Sequence, residues 1–311
     1  MIRGVIDLGT NTVLMVVGKV EPNGEITVLG DYHNVGRLGK GVDSTGLILP
    51  ETFQRIGSIL QQYHKIGREE HRAEQIVGFG TSALRDASNR SRFIAAMKEE
   101  SGVDLHLLSG DDEARLTWSG ALFGLPVAPR EIAVIDIGGG STEVAWGRDR
   151  NFSNGVSVDT GAVRVTERFF REELPPSSLS VTEARDHCRT LFAENISLPM
   201  GTEVVGVAGT VTTLGAIYSG VEQFDAEAIN GTKLPRSWID KMTVELLGLS
   251  IEELQNIPQV ASGREDIISG GALVLSTFME VFGLEEIAVS TRGLRYGLLE
   301  ESFAKQIPLT S

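Results

Sequence analysis

Apolar and polar positions along this chain switch repeatedly between two periods. Short strand-like runs give way to longer stretches in which apolar residues recur every three or four positions. Residues 3–9 and 12–20 read as two strands joined at Gly9–Asn11, and Pro22-Asn23-Gly24 marks a second hairpin with Glu25–Leu29 returning. A helix is predicted from Leu47 to Ile66, with Phe53, Ile56, Leu60 and Tyr63 on one stripe. Gln75–Thr81 reads as a strand running into Ser82-Ala83-Leu84-Arg85, then Ser91–Glu100 as a helix and Asp104–Leu108 as a short strand. Ser109 caps a further helix reaching about Phe123, and Asp112 three residues on fits a capping box.

Leu125-Pro126-Val127-Ala128-Pro129 is the best boundary, which divides the chain into lobes 1–125 and 126–311. Past it the strand–turn–strand theme restarts at Ile132. Helices are predicted from Gly161 to Phe170, Val181 to Ala193, Arg236 to Leu247, Ile251 to Asn256 and Ile267 to Phe282, with a loop at Pro175–Ser178. Strands are predicted at Val204–Ala208 and Ile287–Ser290. A last helix starts near Arg295, and one packing open to this segment (about 295–311) is a return onto the first lobe. Alternation of the two patterns indicates an α/β architecture.

The restart is a repeat in substance. Val5-Ile6-Asp7-Leu8-Gly9-Thr10-Asn11-Thr12 and Val134-Ile135-Asp136-Ile137-Gly138-Gly139-Gly140-Ser141-Thr142-Glu143 lie 129 positions apart. Each is an apolar strand with one aspartate, then a small-residue turn. An aspartate inside an apolar strand is costly to desolvate unless it is paired or binds metal. Gly9 and Gly138 let the backbone turn and approach a ligand closely. Gly138-Gly139-Gly140-Ser141-Thr142 can present successive N–H groups to an anion, and a hard cation such as Mg²⁺ would bridge Asp7, Asp136 and phosphate oxygens. The alternative is a pair of structural aspartates capping tight turns.

The 311 residues are enough for two ordinary domains, and 41% of them are hydrophobic, enough for a folded core. A formal net charge of −14 argues against nucleic-acid binding and against a basic membrane surface. One cysteine, Cys188, gives no disulfide framework and reads as a structural thiol. A cytoplasmic location is the natural expectation, because Asp7 breaks any secretory apolar region and no run reaches membrane-span length. His33, His64, His71, His106 and His187 are scattered without zinc-ligand spacing. No P-loop, dinucleotide fingerprint or nucleophile elbow occurs.

Hydrolysis of a phosphoanhydride needs a carboxylate to handle water and cations to take up phosphoryl charge. Glu113 and Glu143 are the candidate carboxylates, although an acid in a first helical turn or a cross-strand surface charge explains either one alone. Arg85, just past a strand end, is a candidate phosphate grip. Gly209-Thr210 lies in another close-approach loop, and Arg292 and Arg295 are further sources of positive charge.

Six stretches in order resemble the exopolyphosphatase and guanosine pentaphosphate phosphatase family, within the actin, sugar kinase and Hsp70 superfamily. They are Ile6–Thr12, Thr81–Arg85, Ser109–Arg115, Asp136–Glu143, Ala208–Thr210 and Ser290–Arg295, and together they span almost the whole chain. The resemblance implies two ribonuclease-H-like lobes with the site in the cleft. It implies Glu113 as general base and Glu143 positioning water or metal. Asp7 and Asp136 would hold Mg²⁺, with Mn²⁺ as the other cation. Arg85, Gly138, Gly139, Gly140, Ser141 and Thr142 would bind phosphate, as would Thr10, Asn11 and Thr12 of the first lobe and Gly209 and Thr210 of the second.

Two departures stand out. Threonine replaces the usual serine at Thr10 and Thr12, which keeps the hydroxyls, and Tyr296 stands where the family often has glutamate. A chain ending near residue 311 is expected to be the short, two-lobe form, for which tight, processive handling of long polyphosphate is not expected unless a homodimer extends the groove. The implied activity is Mg²⁺-dependent release of orthophosphate from inorganic polyphosphate, with guanosine pentaphosphate as the alternative substrate. An actin-like ATP-binding protein, a sugar kinase and a non-enzymatic polyphosphate sensor are the rival classes.

Overall fold

The two aspartate-bearing strands are the central strands of two separate sheets. In this computed structural model, which describes residues 1–123, 131–171, 173–199, 201–260 and 263–304, the chain divides into two units. One takes Met1–Phe123 with the segment from Leu294 onward, and the other takes the chain between. The boundary expected at Leu125–Pro129 lies outside the described residues.

The first unit opens with a meander of β1 (Ile2–Leu8), β2 (Thr12–Val20) and β3 (Ile26–Val35). It continues through α1 (Val42–Thr45), α2 (Pro50–Lys65), β4 (Gln75–Gly80), α3 (Ser82–Asp86), α4 (Arg90–Ser101), β5 (Asp104–Leu107) and α5 (Gly110–Ala121). Its sheet has the order β3-β2-β1-β4-β5, with β4 parallel to both β1 and β5.

The second unit repeats the plan with β6 (Glu131–Ile137), β7 (Thr142–Arg148), β8 (Asn151–Val158), α6 (Ala162–Val165), α7 (Ser178–Asn195), β9 (Glu203–Val207) and α8 (Ala208–Ser219). Then come α9 (Ala226–Ile229), β10 (Lys233–Pro235), α10 (Arg236–Leu247), α11 (Ile251–Gln255), α12 (Ile268–Val281) and β11 (Glu286–Val289). Sheet order is β10-β11-β9-β6-β7-β8. Read from β8 inward, it matches the first sheet strand for strand, with β10 added as an antiparallel edge. The last helix, α13 (Leu294–Ala304), belongs to the first unit.

Packing explains that assignment. On one face of the first sheet, Ile6, Leu8, Met15 and Val17 bury against Ile56, Leu60, Phe93 and Met97 of α2 and α4. On the other, Val5, Val16 and Phe79 bury against Leu116 of α5 and Leu294, Leu298 and Leu299 of α13. With a helix pair on each face, β1 is covered on both sides, which is why it reads as a nearly unbroken apolar run. Without α13, the face carrying Val5 and Val16 would lose much of its cover. In the second unit, Ile135 and Ile137 of β6 share a core with Phe192 of α7 and Leu273, Leu275 and Phe278 of α12.

The structure departs from the sequence reading in several places. β3 runs on to Val35, well past Leu29, and Asn151–Val158 is a strand that was not expected. α2 and the helix from Ala162 each continue into a wider π-helical turn, over Ile66–Glu70 and Thr166–Phe170. Ser178 begins α7 instead of ending a loop, because the Ser177 hydroxyl caps the helix by accepting from the Ser180 N–H at 3.1 Å. Among the described residues no helix is long and apolar enough to cross a membrane.

Candidate active site

Both repeats close in the same way. The Gly9 N–H donates to the Thr12 carbonyl at 2.9 Å, and the Gly138 N–H donates to the Ser141 carbonyl at 3.1 Å. A Cβ on Gly9 would sit 3.1 Å from the Thr12 oxygen, and one on Gly138 would sit 3.0 Å from the Ser141 oxygen. A side chain at either position would be crowded by the closure itself, which favours glycine there.

Each turn is also held from outside by the chain that follows the third strand of its sheet. In the first unit, the Gly36 and Arg37 N–H groups donate to the Asn11 carbonyl and the Gly39 N–H to the Thr10 carbonyl. In the second, the Ala162 N–H donates to the Gly138 carbonyl, while those of Val163 and Arg164 donate to Gly139. Arg164 Nε adds a bond to the Gly140 carbonyl at 2.6 Å. Carbonyls are thus engaged on one side of each turn. Among the described residues, no acceptor meets the amides of Thr10, Gly139, Gly140 or Ser141. Amides arranged in this way form an anion-binding concavity.

Glu113 stands in the first turn of α5, 6% exposed. Arg85 of α3 donates from Nη1 to its Oε2 at 2.5 Å and to the Leu108 carbonyl at 3.1 Å. The expected base and the expected phosphate grip therefore meet directly. Ser109 caps α5 by accepting from the Asp112 N–H. The predicted reciprocal box takes another form, since Asp112 Oδ2 accepts from the Ser109 hydroxyl at 2.9 Å. The Thr10 and Ser82 hydroxyls lie 2.9 Å apart and join the first turn to the helix that carries Arg85.

Glu143 faces Asp136 directly across the β6–β7 ladder. It is 2% exposed, so it is not a surface charge, and its Oε1 accepts from the Ser141 and Ser157 hydroxyls, each at 2.6 Å. The Thr142 hydroxyl donates to the Thr160 carbonyl and anchors the far end of the turn. Asp7 belongs to the first unit and Asp136 to the second. Among the described residues no group of three or more His, Cys, Asp or Glu side chains is placed to hold a metal.

Gly209 and Thr210 do not lie in a loop. β9 ends at Val207 and α8 begins at Ala208, whose φ of 66° makes the corner in one residue. The start of α8 has an apolar residue, Val207, at its cap position and no side-chain cap. Its first N–H groups are the kind that receive an anion. Sequence reasoning missed Arg264, whose guanidinium lies directly over Gly209, where an added Cβ would fall 1.6 Å from its Nη1. Arg264 is half-buried and makes no ion pair among the described residues, and burial pushes its pKa down to about 10. Only the adjoining Gly263 offered a sequence signal.

Arg295 does not serve as free positive charge for substrate. Its Nε and Nη2 both bond Asp31, at 2.8 and 2.7 Å, because α13 lies beside β3. The Tyr296 hydroxyl donates to the same carboxylate at 2.7 Å. Asp31 thus supplies, from another element, an acidic partner beside the position where glutamate was expected.

Known proteins resemble this chain in sequence and in fold. Exopolyphosphatase 2 of Mycobacterium tuberculosis is 32% identical over 308 residues, covering 94% of this chain and 96% of its own. The Ppx/GppA family member of Aquifex aeolicus superposes with a TM-score of 0.82 at 26% identity, covering 99% of each chain. An exopolyphosphatase from Cytophaga hutchinsonii, at 24% identity, has the same fold with a TM-score of 0.88 over 98% of both chains. A family model matches residues 16–306, and the chain belongs to the Ppx/GppA phosphatase family.

Proposed function

We propose that this chain is an exopolyphosphatase, releasing orthophosphate from the end of inorganic polyphosphate, with Glu113 as general base. The observation that carries the reading is the buried Glu113, placed at the head of α5 and gripped by Arg85. A carboxylate there accepts a proton from water as the water attacks the terminal phosphorus. Arg85 balances the charge of Glu113 and offers further N–H donors to phosphate oxygens. The amides of Gly139, Gly140 and Ser141 and the start of α8 with Arg264 receive the charge that develops on the phosphoryl group. Glu143, fixed by two hydroxyls, orients the water or the cation.

Asp7 and Asp136 are the residues that would hold a divalent cation, Mg²⁺ or Mn²⁺. Both are hard oxygen donors, each beside a turn whose carbonyls are already engaged. Mg²⁺ is commonly bound by one or two carboxylates, with substrate phosphate and water completing the shell, and either aspartate is a donor of that kind. When bound, the cation neutralises phosphate oxygens.

The test is orthophosphate release from long polyphosphate, short polyphosphate and guanosine pentaphosphate at matched terminal-phosphate concentration, with Mg²⁺ present or chelated. Faster metal-dependent release from polyphosphate supports the reading. Faster release from the nucleotide would replace it with pentaphosphate hydrolysis, and no release from any substrate would overturn both.

A further inference from the structure

α12 is buried from Ile268 to Met279, yet Gly270 and Gly271 sit side by side in its first turn. Adjacent glycines weaken a helix, because they lose more backbone freedom than other residues and bury no side chain. Their contribution is the room they leave for neighbouring chain.

Successive residues of a helix point about 100° apart, so the two glycines face two different neighbours. A Cβ on Gly270 would lie 2.7 Å from Thr166 Oγ1 and 3.0 Å from the Ala162 carbonyl oxygen. Ala162 opens the segment whose N–H groups hold the carbonyls of Gly138 and Gly139, and the Thr166 hydroxyl donates to the Ala162 carbonyl at 2.8 Å. A Cβ on Gly271 would lie 2.3 Å from Oγ1 and 2.8 Å from Cγ2 of Thr210, the third residue of α8. One turn of α12 thus touches the clamp of the glycine turn on one side and the head of α8 on the other.

Arg264 belongs to the same piece of chain. Its carbonyl accepts from the Ile267 and Ile268 N–H groups at 3.0 and 2.9 Å, so the residue lying over Gly209 is tied directly to the start of α12. α12 is in turn held by α10. The Ser269 hydroxyl donates to the Leu246 carbonyl at 2.9 Å, and the Thr243 hydroxyl donates to the Ala272 carbonyl at 3.2 Å.

We propose that Gly270 and Gly271 are positioning residues for phosphoryl release. Through them α12 sets the spacing between the glycine turn, the head of α8 and Arg264. Contact at a bare backbone leaves no rotamer to absorb a displacement, so the clamp and α8 keep their places relative to α12. Close packing alone would also favour glycine here, but its loss would show in stability and not in the chemistry of the folded protein. This proposal rests on the reading of the chain as an exopolyphosphatase.

The experiment measures orthophosphate release from polyphosphate, beside melting curves, for wild type, Gly270→Ala, Gly271→Ala, Arg264→Ala and Phe278→Leu. A Cβ on Gly271 drives Thr210 back by about an ångström to regain van der Waals distance. A displacement of that size is expected to lower kcat by about 10²-fold, with a much smaller change in KM. Phe278→Leu shrinks a buried side chain further along α12, so it should lower the melting temperature and leave kcat at the wild-type value. Gly271→Ala and Arg264→Ala should be strongly non-additive, because a displaced α8 no longer lies where Arg264 acts. Gly270→Ala should also lower kcat, and adding Thr166→Ala, which removes the nearest atom, should restore most of it. That pair decides the matter if Gly271→Ala does not fold. Wild-type kcat in folded glycine variants, fully additive losses, or an equal loss in Phe278→Leu would reduce the glycines to packing and overturn the proposal, while leaving the activity standing. No release by wild type would overturn the activity itself, and the proposal with it.

Discussion

Replacing Glu113 by glutamine separates its ion pair with Arg85 from its proposed role as general base. Glu113 is the partner of Arg85 in an ion pair whose side chains are 8% and 20% exposed, and it is also the proposed base. Glutamine keeps the volume and a carbonyl oxygen that still accepts from Arg85 Nη1, but it loses the charge. Exchanging a charged hydrogen bond for a neutral one costs about 1 kcal/mol. Arg85 keeps the Leu108 carbonyl and some water, which holds the loss near that figure. In a chain of this size the melting temperature should fall by roughly 2–4 °C. Loss of a general base slows turnover by about 10²–10⁴-fold, or roughly 3–5 kcal/mol of barrier. The two effects are far enough apart to be read separately by thermal melting and by orthophosphate release on the same sample. A folded Glu113→Gln protein with kcat within about tenfold of wild type would refute the base assignment. Adding Arg85→Ala asks whether Arg85 only holds Glu113 or also holds substrate. A further rise in KM in the double variant is expected, and no further change would confine Arg85 to a positioning role.

Other expectations follow from particular contacts. Gly297→Ala places a Cβ 1.9 Å from the Leu116 carbonyl oxygen, against backbone that cannot rotate away, so α13 and α5 must separate by about an ångström. This should cost about 3 kcal/mol or more, read as a lowered urea midpoint, and a wild-type midpoint would contradict the packing. Arg264→Ala should lower kcat/KM by about 10²-fold with little change in melting, and retained kcat/KM would remove Arg264 from the site. Burial pushes the Tyr63 hydroxyl up to about 12 from an ordinary 10.0. Between those values the unfolded chain loses the proton while the folded chain keeps it, so stability falls as pH rises through this window, by about 3 kcal/mol. Tyr63→Phe should flatten that slope in urea titrations from pH 9 upward, and an equal slope in both proteins would show that Tyr63 is not its source.

The sequence made the two strand–turn repeats legible because their pattern is local. A strand aspartate, a glycine two positions on and a hydroxyl-bearing residue all fall within eight positions, and the same set recurs 129 positions later. The cap of α5 was legible for the same reason. What stayed hidden depends on partners far along the chain. β8 contains Ser153, Asn154 and Gly155 and shows no clean alternation, yet it pairs with β7 over Asn151–Val158, with a register shift at Trp146/Gly147. α13 joins the first unit because its apolar residues complete the core around Val5 and Val16, a fact of tertiary packing that no local pattern carries. Arg264 reaches Gly209 across more than fifty positions, and Arg295 is taken by Asp31.

The segment Ala162–Arg164 ties down all three glycine carbonyls of the second turn, those of Gly138, Gly139 and Gly140. A run of three glycines would otherwise let its peptide planes flip freely. A flipped plane would turn an oxygen toward the place where an anion is to sit and a hydrogen away from it. With every oxygen tethered, that inversion requires breaking a bond to the neighbouring segment. The turn therefore keeps a fixed polarity, and the glycines supply close approach without freedom to reverse it. A substitution that weakens the tether at Arg164 would act as a loss of anion selectivity before it acts as a loss of fold.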